Sequence, residues 1–465
     1  MTHAEQLAAF VLRSRYEDLS EVACRQIKIR ILDALGCAIG AVEGDPIRLL
    51  RAQIDDFGGT PHCSMIGKPK KSAPDRAALY NSALVRYLDF NDSYLAKGET
   101  CHPSDNLGAV LAASEYASCS GKGLMTALGV AYQVQCRLSD VAPVRARGFD
   151  HTVQGEYALA AGISKALGLG QEQTTNAIAI CGTAFNALRV TRTGALSHWK
   201  GLAYPNTAFG CIHATFLAKR GITGPREVFE GNKGFMDAIS GPFQIDWSRE
   251  DLDRVNRTIL KRYNAEVHSQ STLEGVLELR EEQGFPAGQV DRVEIETFDV
   301  AYNIIGGGEE GEKITIRTKE EADHSLPYMV AVAILDGQVM PEQYRPERIR
   351  NQDVQELLRK VTVRPSEELS RRFPDEMPSR ITVQLKDGRK LEMEKRDYEG
   401  FFTRPMRWEN AVRKFERLTA PYADERLQRD IAAAVADLEA TRIADLAQLL
   451  RQVRVPGVTA SKQAA

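Results

Sequence analysis

The chain has 465 residues, 43% of them hydrophobic, with 60 basic and 63 acidic side chains and a formal net charge of -3. That length exceeds what one hydrophobic core usually supports, so two domains are expected, and the near-neutral balance supplies no global field for nucleic acid or an anionic membrane surface. No apolar run reaches the roughly 18 residues of a membrane span, and the charges inside the N-terminal pattern MTHAEQLAAFVLRSR read as an amphipathic helix, not a secretory signal; no membrane partner and a cytoplasmic location are expected.

In chain order, hydrophobic periodicity predicts helices over 22–39, 77–88, 108–117, 124–138, 158–167, 174–187 and 204–218. Several are rich in Ala and Gly, as in GAVLAAS and ALAAGISK. Small residues let helix axes approach closely, which predicts a compact bundle. Near residue 258 the pattern changes. Residues 289–302, 360–364 and 381–393 alternate like strands, the last with a KDGR hairpin turn, and 324–335 reads as an apolar helix starting near Pro327. Helical patterns return over 408–418, 427–438 and 443–453, and the tail 456–465 reads as disordered. The expected fold class is mainly α: a large all-helical bundle domain over 1–258 and a smaller α+β lid domain over 259–395. The lid is inserted before C-terminal helices over 396–465 that return to the helical domain. The Gly-rich run 306–313 reads as a solvated loop, with a mobile flap as the alternative.

Polar groups are densest in DFNDSYLAKGETCHPSDN, residues 89–106, which packs Asp89, Asn91, Asp92, Ser93 and His102 between two apolar helical patterns. Such a stretch predicts an irregular loop that presents groups instead of burying them. Pro103 marks a first helical turn, so His102 falls at a helix N-terminus, an end that favours anions. His151, in GFDHTVQG, stands just ahead of another helix. The segment NALRVTRTGALSHWK, 186–200, carries Arg189, Arg192, His198 and Lys200 with no acidic residue, either a polycarboxylate site or a solvated basic face. KRYNAEVHSQ, 261–270, places Lys261, His268, Ser269 and Gln270 at the expected domain junction, where small-molecule clefts usually form. Tyr328, in ADHSLPY, is a carboxylate donor or a core tyrosine.

None of the eight histidines has HxxxH, HxH or HExxH spacing, and the eight cysteines are scattered without a CxxC pair. Zinc ribbons, iron–sulfur clusters and a disulfide framework are therefore not expected, and P-loop and dinucleotide fingerprints are absent. No metal and no cofactor are expected. Cys101 next to His102 gives little support to a thiol hydrolase, since sequence neighbours do not make a nucleophile and base pair.

DFND followed by HPSDN closely resembles the signature of the MmgE/PrpD family, the 2-methylcitrate dehydratases and their relatives. GFDH, the basic segment ending in Trp199-Lys200, KRYNAEVHSQ and ADHSLPYMVAVAILDG extend the resemblance over essentially the whole chain. It implies an all-helical domain joined to a smaller α+β lid, a homodimer, a cofactor-independent reaction and a tricarboxylate substrate held in the cleft between domains. Carried over by position, it implies that Asp89, Ser93, His102, His151, Lys200, Lys261, His268 and Tyr328 line the site. Asp89, His102, His151 and Lys200 take the catalytic roles, and the others bind substrate together with Arg192. Ser93 departs from the threonine of many relatives but keeps the hydroxyl. The spacer 94–101 looks like that of the dehydratase branch and is longer than that of the cis-aconitate decarboxylase branch. Dehydration of 2-methylcitrate or a close tricarboxylate is the expected activity. Decarboxylation of cis-aconitate, epimerisation of an amino-dicarboxylate, and silent tricarboxylate binding are the alternatives.

Overall fold

The computed structural model describes residues 1–194 and 196–455, so the expectation for 456–465 lies outside the described residues. The chain divides into two compact units. The first takes Met1–Thr191, Trp199–Thr258 and the chain from Arg407 on; the second takes Arg192–His198 and Ile259–Met406. The fold is mainly α.

The first unit begins with α1 (His3–Arg13), α2 (Glu21–Gly40), α3 (Asp45–Phe57) and α4 (Pro74–Tyr87). A short hairpin, β1 (Tyr94–Ala96) and β2 (Glu99–Cys101), leads to α5 (Leu107–Tyr116), α6 (Gly121–Val141), α7 (Thr152–Ala166), α8 (Gln171–Ala184) and α9 (Trp199–Lys219). The helices fall within a few residues of the expected stretches, α8 ending at Ala184 instead of 187, and side-chain caps fix where two of them begin. The Ser20 hydroxyl accepts the Ala23 amide ahead of α2, and Ser120 does the same for Gly123 ahead of α6. α4 packs against α5 and α9, and α7 against α6, α8 and α9. Glycines allow this closeness. A Cβ on Gly108 of α5 would stand 2.4 Å from the Ser82 nitrogen of α4, and one on Gly155 of α7 would stand 2.4 Å from the Tyr204 ring of α9. Helix Trp408–Thr419 packs on α2, and helix Ile443–Arg451 on α5.

In the second unit, α10 (Gln270–Gln283) and the apolar helix Leu326–Asp336 pack on a sheet of β3 (Val290–Thr297), β4 (Val361–Pro365), β5 (Ser379–Leu385) and β6 (Lys390–Lys395). The strand order is β4-β3-β5-β6, with β3 parallel to β4 and antiparallel to β5. Leu273, Val276, Ile295, Val330, Ile334 and Ile381 lie in its buried core. No helix among the described residues is long and apolar enough to cross a membrane.

Three expectations are corrected. The strand expected over 289–302 stops at Thr297: the Ser366 amide takes the Thr297 carbonyl, the Ser370 hydroxyl takes the Asp299 amide at 2.9 Å, and the chain turns helical at Asp299. The second unit runs to Met406, not 395, because 396–406 is tied back to it. Met377 donates to the Arg396 carbonyl at 2.8 Å, Leu260 to the Gly400 carbonyl at 2.9 Å, and Arg404 to the Glu274 carboxylate at 2.7 Å. The third concerns 89–106, which is neither irregular throughout nor exposed: it contains the β1–β2 hairpin, and Asp89, Asn91, Asp92, Ser93 and His102 are all buried. The run 306–313 is half-exposed, with the Gly308 amide on the Tyr302 carbonyl and the Glu310 amide on the Asn303 carbonyl.

Candidate functional site

The site in the first unit is built by the way α4 ends. Asp89 follows the helix with φ +53°, a left-handed backbone conformation that Asp tolerates better than most residues. Its carboxylate takes the Arg86 guanidinium at 2.7 Å on one oxygen and stands 3.4 Å from the Lys200 ammonium on the other. Arg86 also lies 3.7 Å from Asp105, whose other oxygen accepts the Asn91 amide at 2.8 Å. Asp89 thus aims Lys200, the second residue of α9, between buried charges. Buried charges persist only when paired in this way.

The hairpin does the next piece of positioning. Tyr94 pairs with Cys101 and Ala96 with Glu99 across the two-residue turn Lys97-Gly98. The residues just outside the pair, Ser93 and His102, therefore meet, with the Ser93 hydroxyl 3.0 Å from His102 Nδ1. The spacer 94–101 is the device that brings them together. His102 Nδ1 also donates to the Asp92 carbonyl at 2.8 Å. Since a carbonyl only accepts, Nδ1 carries the hydrogen and Nε2 keeps its lone pair in the neutral ring. Tyr94 ties the hairpin to α6 through Asp140 at 2.8 Å, and Glu99 accepts the Val144 and Arg145 amides at 3.1 Å.

His151 precedes α7, where 148–151 is laced to the basic segment. Asp150 donates its amide to the Ala187 carbonyl at 2.9 Å, and the Arg189 amide reaches the Gly148 carbonyl at 2.9 Å. The ring of His151 stacks on Tyr204 at 6.1 Å and meets the His102 ring edge-on at 5.3 Å. Its Nδ1 faces the Asp150 carboxylate at 3.3 Å, and its buried Nε2 has no hydrogen-bond partner. Two imidazoles thus stand side by side, each anchored through Nδ1.

The second unit carries its own constellation. Glu266 caps the turn ahead of α10, accepting the His268 amide at 2.8 Å and the His268 Nδ1–H at 2.7 Å. His268 Nε2 is buried without a hydrogen-bond partner. Burial opposes ionisation of Glu266, but His268, then His324 and Lys261, outweigh it and hold the carboxyl down at about 2. Lys261 itself is buried. Ser269 and Gln270 shape the turn: Ser269 donates to the Glu266 carbonyl, and the Gln270 side chain accepts the Arg262 and Tyr263 amides.

The remaining expected residues separate. Tyr328 lies in the core of the second unit, its hydroxyl committed to the Gln343 carbonyl. Of the basic segment, Lys200 and Arg192 are buried while His198 is exposed, so it is not a uniformly solvated face. Sequence reasoning missed Arg86 and the Asp92 clamp. It also missed a second carboxylate–imidazole pair in the second unit, Asp323 with His324 Nδ1 at 2.6 Å, Lys319 on the same carboxylate at 2.6 Å. The ADHS run held the only available signal, an Asp-His dipeptide beside a helix start.

The MmgE/PrpD N-terminal domain model matches residues 5–248 and the C-terminal domain model residues 263–440. The chain belongs to the MmgE/PrpD family. Curated relatives align over most of their length. A "2-methylcitrate dehydratase" of Salmonella typhi is 27% identical over 398 residues, 80% of each chain. An "alkylcitrate dehydratase phiI" of a fungal species is 29% identical over 432 residues, 84% of this chain and 83% of its own. The Escherichia coli K12 "2-methylcitrate dehydratase" is 27% identical over 402 residues, 81% of each. Both halves of the family's pattern are therefore present in one chain.

Proposed function

We propose that this MmgE/PrpD enzyme is a hydro-lyase that dehydrates 2-methylcitrate, or a close tricarboxylate, to the conjugated alkene acid by general acid/base catalysis. The observation that carries the reading is the His102–His151 pair, ring centroids 5.3 Å apart, with both Nδ1 atoms anchored. Dehydration needs a base to take the C–H proton beside a carboxylate and an acid to protonate the hydroxyl leaving the neighbouring carbon. An imidazole can take either part, as base when neutral and as acid when protonated. Charge that builds on the substrate carboxylate needs a cation or donor there, a contribution of roughly 3 to 4 kcal/mol per group. Lys200, held by Asp89, is assigned that task, and Lys261, His268 and Arg192 are assigned to the other carboxylates. The dehydratase names of the relatives support the same reaction class.

Purified protein treated with chelator and given 2-methylcitrate, citrate and cis-aconitate separately tests this. Ultraviolet absorbance should rise with 2-methylcitrate, and His102→Gln and His151→Gln should each lower kcat roughly a hundred- to ten-thousand-fold while remaining folded. Near-wild-type kcat in both variants would overturn the acid/base scheme. Loss of absorbance with cis-aconitate alone, with release of carbon dioxide, would replace dehydration by decarboxylation.

A further inference from the structure

Asp92 takes no part in the proton transfers assigned above, yet it is completely buried, and burying a carboxyl is costly unless its oxygens are engaged. Two bonds engage the carboxyl, and a third joins the main chain of Asp92 to His102. One side-chain oxygen accepts the Ser104 amide at 2.9 Å, the other accepts the Tyr132 hydroxyl of α6 at 2.7 Å, and the main-chain carbonyl accepts His102 Nδ1–H at 2.8 Å. Ser104 lies two residues beyond His102, on the far side of the hairpin from Asp92. A single residue therefore grips His102 through its main chain and the segment following His102 through its side chain.

We propose that Asp92 is the positioning residue that holds His102 in the tautomer with hydrogen on Nδ1 and the basic lone pair on Nε2. The need for such a clamp comes from Ser93, whose hydroxyl lies 3.0 Å from the same Nδ1. A hydroxyl can donate as well as accept. If the Asp92 carbonyl swung away, Ser93 could donate to Nδ1, the hydrogen would move to Nε2, and His102 would present a donor where the base must be. The side-chain bonds of Asp92 keep that carbonyl in place. Around the carboxyl, burial is the largest influence and pushes it up to about 6, while Ser104, Tyr132 and the Arg30 charge on α2 pull the other way. Both side-chain bonds are donated to it, so the ionised form makes them best.

The inference deepens the reading of His102 as a proton-transfer residue and rests on it. Its test uses the full chain labelled with 15N-histidine, above neutral pH and without substrate, His102 being assigned by the signals lost in His102→Gln. Wild-type protein should show a single Nδ1–H tautomer for His102. Asp92→Asn puts an amide nitrogen against one of two donors, so a mixture of tautomers should appear, with kcat down about 10- to 100-fold and KM within about threefold. Adding Ser93→Ala removes the competing donor and should return the spectrum to Nδ1–H. If Asp92→Asn does not fold, Tyr132→Phe removes one arm of the clamp and should give the same mixture. An unchanged single Nδ1–H signal in the folded variant, or an Nε2–H tautomer in the wild type, would overturn the clamp. Wild-type protein that turns over none of the tricarboxylates would remove the functional reading instead, and the spectra would still decide the clamp.

Discussion

Asp89 sits in a left-handed backbone conformation at a position where helices usually end on glycine, and strain of this kind is tolerated where surrounding bonds over-determine it. Here Arg86 and Lys200 supply those bonds. Glu266 is a second residue whose state is set by its neighbours. Its folded value of about 2 lies below the ordinary 4.5, so the fold favours the ionised form. That stabilisation is complete above about pH 4.5 and is lost as pH falls toward 2. Glu266→Gln should therefore be less stable than wild type at pH 6, with the gap in urea midpoint narrowing on acidification; a gap independent of pH would refute the assignment. Asp89, His102, His151, Lys261 and His268 could be picked out from motif spacing. Their partners could not. Asp92, Arg86 and the Asp323–His324 pair gain meaning only from chain reversals that bring a carbonyl or carboxylate onto a ring nitrogen, and no spacing rule encodes that.

At the scale of elements, the helices of the bundle were legible because 10 to 20 residues of period 3.6 give several turns of signal. The β1–β2 hairpin was not. Three residues per strand are too few to show alternation, and Tyr94, Ala96, Glu99 and Cys101 are all buried whatever their polarity. The same segment depends on a helix more than 300 residues away in sequence. From helix Trp408–Thr419, Lys414 reaches Asp33 of α2 at 2.7 Å and the Phe90 carbonyl at 2.8 Å, and lies 3.7 Å over the Phe90 ring. Both charges are buried, and breaking a buried ion pair by removing one member costs about 3 kcal/mol or more. Lys414→Met should lower the urea midpoint accordingly, and Asp33→Asn on that background should recover part of the loss. Equal stability of Lys414→Met and wild type would show that the helix is held by its apolar face alone.

For the whole molecule, the division into a helical unit and a sheet-bearing unit was legible from the change of period near residue 258. The boundary at Met406 was not, because it rests on backbone hydrogen bonds such as Leu260 to Gly400 that leave no trace in composition. Global stability should carry the mark of one residue in the helical unit. Glu156, on α7, is fully buried, and its carboxyl oxygens have no well-formed hydrogen bond, the Phe185 amide making only a weak approach. Burial raises its proton affinity well above the ordinary 4.5, Cys181 adds to the shift, and the Phe185 amide only partly opposes it. The folded chain therefore keeps a proton that the unfolded chain releases above about pH 4.5. Below that value both states are protonated and nothing is lost. As pH rises from there, the unfolded state is increasingly favoured, until Glu156 also ionises in the folded chain. Glu156→Gln cannot ionise, so whatever fixed offset its amide introduces, its stability relative to wild type should climb as pH rises above about 4.5 in urea titrations. Parallel curves for the two proteins would mean that Glu156 is already charged in the fold and has found a partner, and the helical unit would then have no built-in preference for acid.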